Sequence, residues 1–321
     1  MGMVIDAFAH HLPKSFAEKQ LELYPTDELR ELMNLIYFPD IEERVRVLDR
    51  LGIDKQVLTI ARPSTWLGMP PELIQKMTRL SNDAVAADAK KFPDRFLAVG
   101  TLLFPTEEYL PEFDRCLDEL GMAGIQIFSN VDGLPLDDAR FRPFFAKANA
   151  TKTPIWIHPQ LAKGWPQDYA IHKFYGWPFE TSVAMARLVF SGMMEEYPDL
   201  RIITHHMAGM TSFFSERSKG FYDMRETHPG GRLATLPRNP QEYFKRFYAD
   251  TVVTGALHAF ECGYKFFGPD HVVFATDYPY GPEHGEVWSG KELAMLDEAG
   301  LAQADKEKIL GGNLLRLLKR Q

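Results

Sequence analysis

Cysteine is scarce in this sequence, with two residues among 321. Cys116 and Cys262 are far apart in the chain and match none of the short spacings of zinc-binding or redox motifs. We therefore expect a protein that works in a reducing, cytoplasmic environment. The acidic first residues also lack a basic region ahead of an apolar core, so we expect no signal peptide.

Long apolar runs and clusters of basic residues are missing as well. No apolar run approaches the roughly 20 residues that a membrane-spanning helix needs. The 36 Lys and Arg face 44 Asp and Glu, for a net charge of −8, and the basic residues occur in no run longer than a pair. Nucleic-acid binding depends on clustered basic side chains. We therefore expect a small molecule as partner, with neither a nucleic acid nor a membrane.

The motifs of two common enzyme classes are absent too. No Gly-x-Gly-x-x-Gly follows a predicted strand, so a dinucleotide-binding fold has no support. The sequence has no Gly-x-Ser-x-Gly, and neither cysteine has a base nearby in sequence. A serine or cysteine nucleophile is therefore unsupported.

What the sequence does contain is a regular alternation of strands and helices. Short buried strands are predicted at 4–10, 56–61, 96–103, 124–128, 154–159, 201–206, 247–251 and 271–277. Helices are predicted at 41–52, 71–91, 106–120, 141–150, 180–197 and 255–267, with helical segments at 26–38 and 211–246. Such an alternation predicts a parallel α/β fold. Eight units in a chain of this length fit a (β/α)8 TIM barrel, a single domain over residues 1–321.

Histidine and aspartate collect at the ends of these strands. Five of the ten histidines and one aspartate end strands one, five, six and eight: His10, His11, His158, His205, His206 and Asp277. The active sites of TIM barrels lie at the C-terminal ends of the strands. The sequence therefore predicts a site at this end of the barrel.

Imidazole and carboxylate side chains together indicate a metal site. A catalytic zinc ion needs three protein ligands and a water molecule, and manganese and similar ions accept the same donors. His10, His158 and Asp277 supply that number. We therefore expect a divalent metal cofactor, zinc before manganese.

The first strand carries an awkward aromatic residue. Side chains alternate between the two faces of a strand, so Asp6, Phe8 and His10 are predicted to share one face. The same rule places His11 on the opposite face. Phe8 thus lies between an acid and a histidine at the predicted site.

Four motifs resemble the amidohydrolase superfamily. They are Asp6-x-x-x-His10, Trp156-Ile-His158-Pro159, His206-Met-Ala-Gly209 and Ala275-Thr-Asp277-Tyr-Pro279. Together with the segments 176–180 and 196–201, these motifs are most similar to one branch of that superfamily. It is the branch of aminocarboxymuconate-semialdehyde decarboxylase-like proteins, which includes resorcylate and carboxyvanillate decarboxylases. This resemblance implies a metal-dependent barrel that removes carboxylate from unsaturated acids or adds water to them.

The resemblance also implies a metal-ligand set with one member missing. His10 matches the second histidine of the family's His-x-His motif, and His158 and Asp277 match the ligands of strands five and eight. Phe8 stands where the family has the first histidine, or a glutamate in some decarboxylases. A phenylalanine side chain does not ligate a metal, so three ligands remain.

Further roles follow from the same resemblance. His206 matches the strand-six histidine that acts as acid or base, in concert with Asp277, and His205 is its extra neighbour at the substrate. Arginine binds carboxylates bidentately, and three arginines are candidates for holding an acid: Arg44, Arg62 and Arg217. Trp66 is a candidate for an aromatic pocket wall. Arg217 matches an arginine that reaches the neighbouring subunit's site, which implies a homodimer.

Three functional hypotheses remain open from the sequence. The leading one is a metal-dependent, non-oxidative decarboxylase of an aromatic or conjugated carboxylic acid, with His206 as general acid or base. The second is a hydrolase or hydratase acting on a lactone, amide or double bond with the same residues. The third, prompted by Phe8, is a metal-free descendant with an acid-base or ligand-binding role.

Overall fold

The computed structural model describes residues 2–27, 29–30, 33, 41–61, 66–226 and 233–319. Arg62 and most of the helical segment predicted at 26–38 lie outside the described residues. The strands are β1 (Ile5–His11), β2 (Lys55–Ile60), β3 (Phe96–Ala98), β4 (Gly100–Thr101), β5 (Ile125–Phe128), β6 (Asn130–Val131), β7 (Leu134–Pro135), β8 (Pro154–His158), β9 (Arg201–Thr204), β10 (Tyr248–Asp250) and β11 (Val272–Val273).

The helices lie between the strands and at the C-terminal end of the chain. They are α1 (Lys14–Leu23), α2 (Ile41–Leu51), α3 (Pro71–Lys91), α4 (Leu110–Asp114), α5 (Arg142–Thr151), α6 (Trp177–Phe190), α7 (Met193–Glu196), α8 (Ser215–Asp223), α9 (Pro240–Phe244), α10 (Leu257–Phe267), α11 (Glu286–Glu298), α12 (Gln303–Glu307) and α13 (Asn313–Leu318). In the described part of the chain, no helix combines the length and apolarity that crossing a membrane requires.

Two parallel sheets make up the barrel wall. One has the order β1-β2-β3 and the other the order β11-β10-β9-β8-β5-β4. The predicted strand 96–103 is divided between them, since β3 pairs with β2 and β4 pairs with β5. β6 and β7 form a separate antiparallel hairpin.

Backbone hydrogen bonds join the two sheets into a closed barrel. On one side, the Ala7 N–H donates to the Phe274 carbonyl oxygen at 2.8 Å, and the Asp277 N–H donates to the Phe8 carbonyl oxygen at 3.2 Å. On the other side, the Ala123 N–H donates to the Ala98 carbonyl oxygen at 2.8 Å. The predicted (β/α)8 barrel is confirmed.

Helix α2 shows how the sequence pattern places helices on the barrel. Its buried side chains are Ile41, Arg44, Val47 and Leu48, three or four residues apart along most of one face. Gly52 follows the helix with a φ of +69°, a left-handed conformation that glycine adopts without strain. The helix predicted at 41–52 is therefore present, with an arginine on its buried face.

The first strand contains a bulge that changes which side chains share a face. The pairing of β1 with β2 runs from Asp6 opposite Gln56 to Ala9 opposite Leu58, so β1 has one extra residue in this interval. Gln56 and Leu58 are two residues apart on β2 and so share a face, and their partners Asp6 and Ala9 therefore share a face as well. His10, the neighbour of Ala9, lies on the other face. The prediction that Asp6 and His10 share a face is wrong, because a bulge shifts the alternation by one residue.

Candidate metal centre

Side chains from four strand ends meet at one end of the barrel. His10 lies near the end of β1 and His158 at the end of β8, while His205 and Asp277 follow β9 and β11. Asp277 Oδ1 is 3.1 Å from His10 Nε2 and 3.3 Å from His205 Nε2. The ring centroids of His10 and His158 are 5.0 Å apart. The structure thus brings together residues that are up to 267 positions apart in sequence, from 10 to 277.

The ligand atoms of this cluster are close enough to surround one cation. One nitrogen atom from each of His10, His158 and His205 lies within 4.8 Å of the others, and the same holds for ligand atoms of His205, His206 and Asp277. Imidazoles with a carboxylate form a donor set that zinc and similar divalent ions accept. The residues present therefore fit a divalent metal ion.

Hydrogen bonds fix the orientation of two of the imidazoles. His10 Nδ1 lies 3.1 Å from Thr59 Oγ1, and the Thr59 hydroxyl donates to the Ala9 carbonyl oxygen at 3.0 Å. The hydroxyl therefore accepts from His10 Nδ1–H, which leaves Nε2 with a lone pair toward the cluster. Likewise, His205 Nδ1–H donates to Asp250 Oδ2, and Nε2 is directed toward the cluster. Metal-binding histidines in proteins are typically held in this way.

Asp250 is the buried carboxylate that holds His205. It also accepts backbone N–H groups of Met207 and Val252, at 3.2 and 3.1 Å. Burial alone would lower the pKa of His205, but the charge and hydrogen bond of Asp250, together with Asp277, raise this pKa to about 10. Asp250 and Asp277 therefore stabilise a positive charge at His205 Nε2, either a bound proton or a metal ion.

The other site residues are in the protonation states that favour metal binding. Burial lowers the pKa of His10 and holds the pKa values of His158 and His206 well below the usual one. Burial would raise the pKa of Asp277, but its hydrogen bonds with His10 and His205 hold that pKa well below its ordinary value. Near neutral pH these three imidazoles are thus neutral and the Asp277 carboxylate is ionised.

His206 begins a left-handed turn. Residues 206–209 all have positive φ, between 50° and 61°. Only glycine suits the last position, because a Cβ on Gly209 would lie 2.1 Å from the Pro178 carbonyl oxygen. Each non-glycine residue in this conformation costs about 1–2 kcal/mol, so the surrounding packing maintains the turn. The turn holds the His206 ring with its centroid 4.0 Å from that of His205.

The side chain of His206 is available for proton transfer. Its Nδ1 is buried and has no hydrogen-bond partner among the described residues. The residue as a whole is half-buried, and burial and the nearby His205 keep its imidazole neutral, so the ring can exchange a proton with a bound molecule. The geometry is that of a general acid or base beside a metal site.

Comparison with known proteins decides the family. The profile of the family described as Amidohydrolase matches residues 42–320. The chain belongs to the amidohydrolase family. The 2-amino-3-carboxymuconate-6-semialdehyde decarboxylase of Dictyostelium discoideum is 30% identical over 292 residues, which are 90% of this chain and 79% of that protein.

Two solved structures share the fold of this amidohydrolase. The 5-carboxyvanillate decarboxylase LigW from Sphingomonas paucimobilis has a TM-score of 0.87 at 24% identity and covers 100% of both chains. The dihydroxybenzoic acid decarboxylase from Polaromonas sp. JS666, solved with manganese and 2-nitroresorcinol, has a TM-score of 0.79 at 24% identity. It covers 99% of this chain and 97% of that one. The resemblance to this decarboxylase branch is confirmed.

Arg44 takes a different role in this amidohydrolase from the predicted one. Its guanidinium is fully buried and donates to the His10 carbonyl oxygen and to Gln56 Oε1, both at 2.7 Å. Gln56 Nε2 in turn donates to Asp6 Oδ2 at 2.7 Å. The guanidinium also lies over the Tyr278 ring, 4.7 Å from its centroid. Arg44 therefore binds the end of β1 and not a substrate, because its donors face the protein.

Trp66 and Arg217 contact residues outside the metal centre. Trp66 is 1% exposed, and its Nε1 donates to Gln20 Oε1 at 3.1 Å while its ring packs against Phe16. The structure therefore places Trp66 in the core and not in a pocket wall. Arg217 lies on α8, exposed, with its guanidinium 4.8 Å from the Phe221 ring centroid.

His11 points away from the cluster, as predicted. Its Nε2 lies 2.8 Å from Asp88 Oδ2, a side chain of α3 on the outside of the barrel. His11 is therefore not a substitute for the ligand that Phe8 does not provide, and the alternation rule holds at this end of the strand.

Asp250 is a site residue that the sequence analysis missed. It ends β10, so the rule that selected His158 and Asp277 applies to it equally. The candidate residues were selected from strands one, five, six and eight, which carry the histidines and the family's metal ligands, and strand seven was not included. Thr59, the hydrogen-bond partner of His10, carries no comparable signal, because a threonine within a buried strand is common.

Glu292 supports the loop that follows Asp250. This glutamate of α11 is buried and accepts the backbone N–H groups of Val253 and Gly255, at 3.0 and 3.3 Å. Its other oxygen, Oε2, has no hydrogen-bond partner among the described residues. Burial, with the nearby charge of Asp250 as a smaller cause, raises the pKa of Glu292 to about 8.

Replacing Glu292 with glutamine is expected to remove a pH dependence of stability. The raised pKa means that the folded protein disfavours the ionised form of Glu292. This residue therefore leaves the free energy of unfolding at its highest below about pH 4.5, and that free energy falls as pH rises through about 8. Relative to Glu292→Gln, the wild-type free energy of unfolding should fall by about 3–5 kcal/mol across this window. Urea denaturation of both proteins at several pH values measures this. Parallel stability curves would show that Glu292 titrates normally.

Proposed function

We propose that this amidohydrolase is a metal-dependent, non-oxidative decarboxylase of an aromatic or conjugated carboxylic acid. The observation that carries the proposal is the cluster of histidines and one aspartate at the strand ends, formed by His10, His158, His205, His206 and Asp277. Decarboxylases of such acids are the relatives of this chain. The cluster contains both a metal-binding set and a proton carrier, which are the two requirements of this reaction.

His10, His158 and Asp277 hold the divalent ion in this proposal. When bound, the ion supplies Lewis-acid stabilisation of the negative charge on the substrate. Zinc suits the imidazole and carboxylate donors, and manganese is the ion in the similar Polaromonas structure. Metal analysis of protein purified without chelators distinguishes the two ions.

His206 carries the proton. When the carbon–carboxylate bond breaks, its electron pair stays on the substrate carbon, carbon dioxide leaves, and a proton forms the new C–H bond. Burial and the charge of His205 keep His206 neutral in the free site. An anionic substrate nearby offsets these effects and lets the imidazole take up a proton, which it then delivers to the carbon. Asp277, in the same cluster, stabilises the imidazolium.

Product analysis with metal-loaded protein tests the proposal. The probes are 2,6-dihydroxybenzoate and 5-carboxyvanillate, with related hydroxybenzoates, incubated in D2O. We expect one carbon dioxide per product and one deuterium at the carbon that lost the carboxylate. Ring opening of lactones or hydrolysis of amides without carbon dioxide release would establish the hydrolase alternative. Turnover by protein that retains no metal after loading would establish the metal-free alternative.

A homodimer is part of this proposal. On and beside α8, Phe213 is 74% exposed, and Phe214, Phe221 and Met224 are 42–49% exposed. Contiguous exposed apolar side chains of this kind mark interaction surfaces. Arg217 lies among them and lines a surface cavity of ≈ 390 Å³. Sedimentation at assay concentrations should show a dimer, and a fully active monomer would contradict this part of the proposal.

A further inference from the structure

Phe8 forms a wall of the metal centre. Its side chain is fully buried, and its ring centroid lies 4.2 Å from that of His205 and 5.6 Å from that of His10. A phenyl ring has no lone pair to offer a cation. Of Phe8 and His10, the two residues of β1 beside the cluster, only His10 is therefore a ligand.

His205 stands beside Phe8 with a nitrogen atom directed at the site. Its ring is stacked between Phe8, at a centroid distance of 4.2 Å, and His206, at 4.0 Å. Because Nδ1 is taken by Asp250, Nε2 is the atom that faces Asp277, at 3.3 Å. A buried imidazole held by a carboxylate on one nitrogen, with the other nitrogen directed at the site, is the usual arrangement of a metal ligand.

The distances within the cluster suit a shared cation. Ligand atoms about 2.0–2.2 Å from an ion in tetrahedral geometry lie roughly 3.3–3.6 Å from one another. The distances from Asp277 Oδ1 are 3.1 Å to His10 Nε2 and 3.3 Å to His205 Nε2. His205 also shares a group of mutually close ligand atoms with His10 and His158. His205 therefore meets the same geometric conditions as His10.

We propose that His205 is a metal ligand, and that it supplies the donor which Phe8 does not provide. The ion is then held by three imidazoles and one carboxylate: His10, His158, His205 and Asp277. His206 stays outside the set and keeps its imidazole for proton transfer. Phe8 holds His205 in place by stacking on it. This inference rests on the proposed function in one respect, the presence of a divalent ion.

Metal titration of three glutamine variants tests the inference. Glutamine at position 205 retains an N–H for Asp250 but removes the imidazole. Apo protein is titrated with Mn²⁺ by calorimetry for wild type, His205→Gln, His10→Gln and the matched neighbour His206→Gln. We expect the affinity to fall by at least about 10–100-fold in His205→Gln and His10→Gln. The His206→Gln affinity should remain close to that of wild type.

The outcomes separate this inference from the proposed function. If His205→Gln binds Mn²⁺ as tightly as His206→Gln while His10→Gln does not, the ligand role of His205 is overturned and the metal-dependent function stands. If wild-type protein binds no Mn²⁺ or Zn²⁺, both fail. X-ray absorption spectroscopy of zinc-loaded wild type needs no variant to fold. Three imidazoles in the first coordination sphere support the inference, and two overturn it.

Discussion

Replacing His206 with asparagine is expected to reduce turnover by about 10²–10⁴-fold, the usual contribution of a general acid or base. The reason is that the proposed reaction needs one proton at the substrate carbon, and the neutral, half-buried imidazole of His206 lies in the cluster with His205 and Asp277. Asparagine is the suitable replacement because it tolerates the left-handed backbone, with φ of 56° at this position. The turn at 206–209 should therefore keep its shape.

The measurement is the steady-state rate at saturating substrate, with metal content and thermal unfolding determined on the same preparation. Both of these should match wild type, because His206 lies outside the proposed ligand set. His258→Asn is the matched control, since His258 is exposed on α10 and should leave the rate unchanged. A His206→Asn protein with wild-type turnover would refute the proton-carrier role.

Replacing Arg44 with methionine is expected to lower the free energy of unfolding by about 3–5 kcal/mol, as is usual when one partner of a buried charged network is removed. The guanidinium is fully buried and lies at one end of a chain of hydrogen bonds that continues through Gln56 to Asp6. Methionine fills much of the volume but leaves the Gln56 oxygen and the His10 carbonyl oxygen without their donor.

Chemical denaturation of Arg44→Met and Arg46→Met gives the comparison. Arg46 lies on the same helix, but it is largely exposed and pairs with Glu43 at the surface. Such surface pairs contribute only about 0–1 kcal/mol, so Arg46→Met should remain close to wild type. If Arg44→Met unfolds like wild type but raises KM for an acid substrate, the original prediction of a substrate-binding arginine is correct and the structural role is wrong.

The fold and the location of the site could be predicted because both follow from strand ends. In a parallel barrel the C-terminal ends of all strands meet at one rim, so His10, His158, His205 and Asp277 had to lie near one another once the strands were known. The strand pattern itself comes from short apolar runs, and these are local in sequence. No knowledge of side-chain packing was needed for either step.

Contacts that depend on packing could not be predicted. The extra residue in β1 leaves no mark in the sequence Asp6-Ala-Phe-Ala-His10, so alternation assigned Asp6 to the wrong face. The spacing on α2 shows that Arg44 lies near the barrel, but not whether its guanidinium reaches a substrate or the His10 carbonyl oxygen. The environment of Trp66 likewise depends on α1, through Gln20 and Phe16.

The bulge in β1 also determines the charge balance of the metal centre. Because Asp6 turns toward Gln56 and Arg44, the carboxylates among the described residues that contact the imidazole cluster are Asp250 and Asp277. Two negative charges, neutral imidazoles and one divalent ion make an electrically neutral buried group, which costs far less to bury than a charged one. Were Asp6 on the inner face, a third carboxylate would favour a second cation or an added proton. With the proposed ligands, one inserted residue thus gives this centre the charge that a single divalent ion balances.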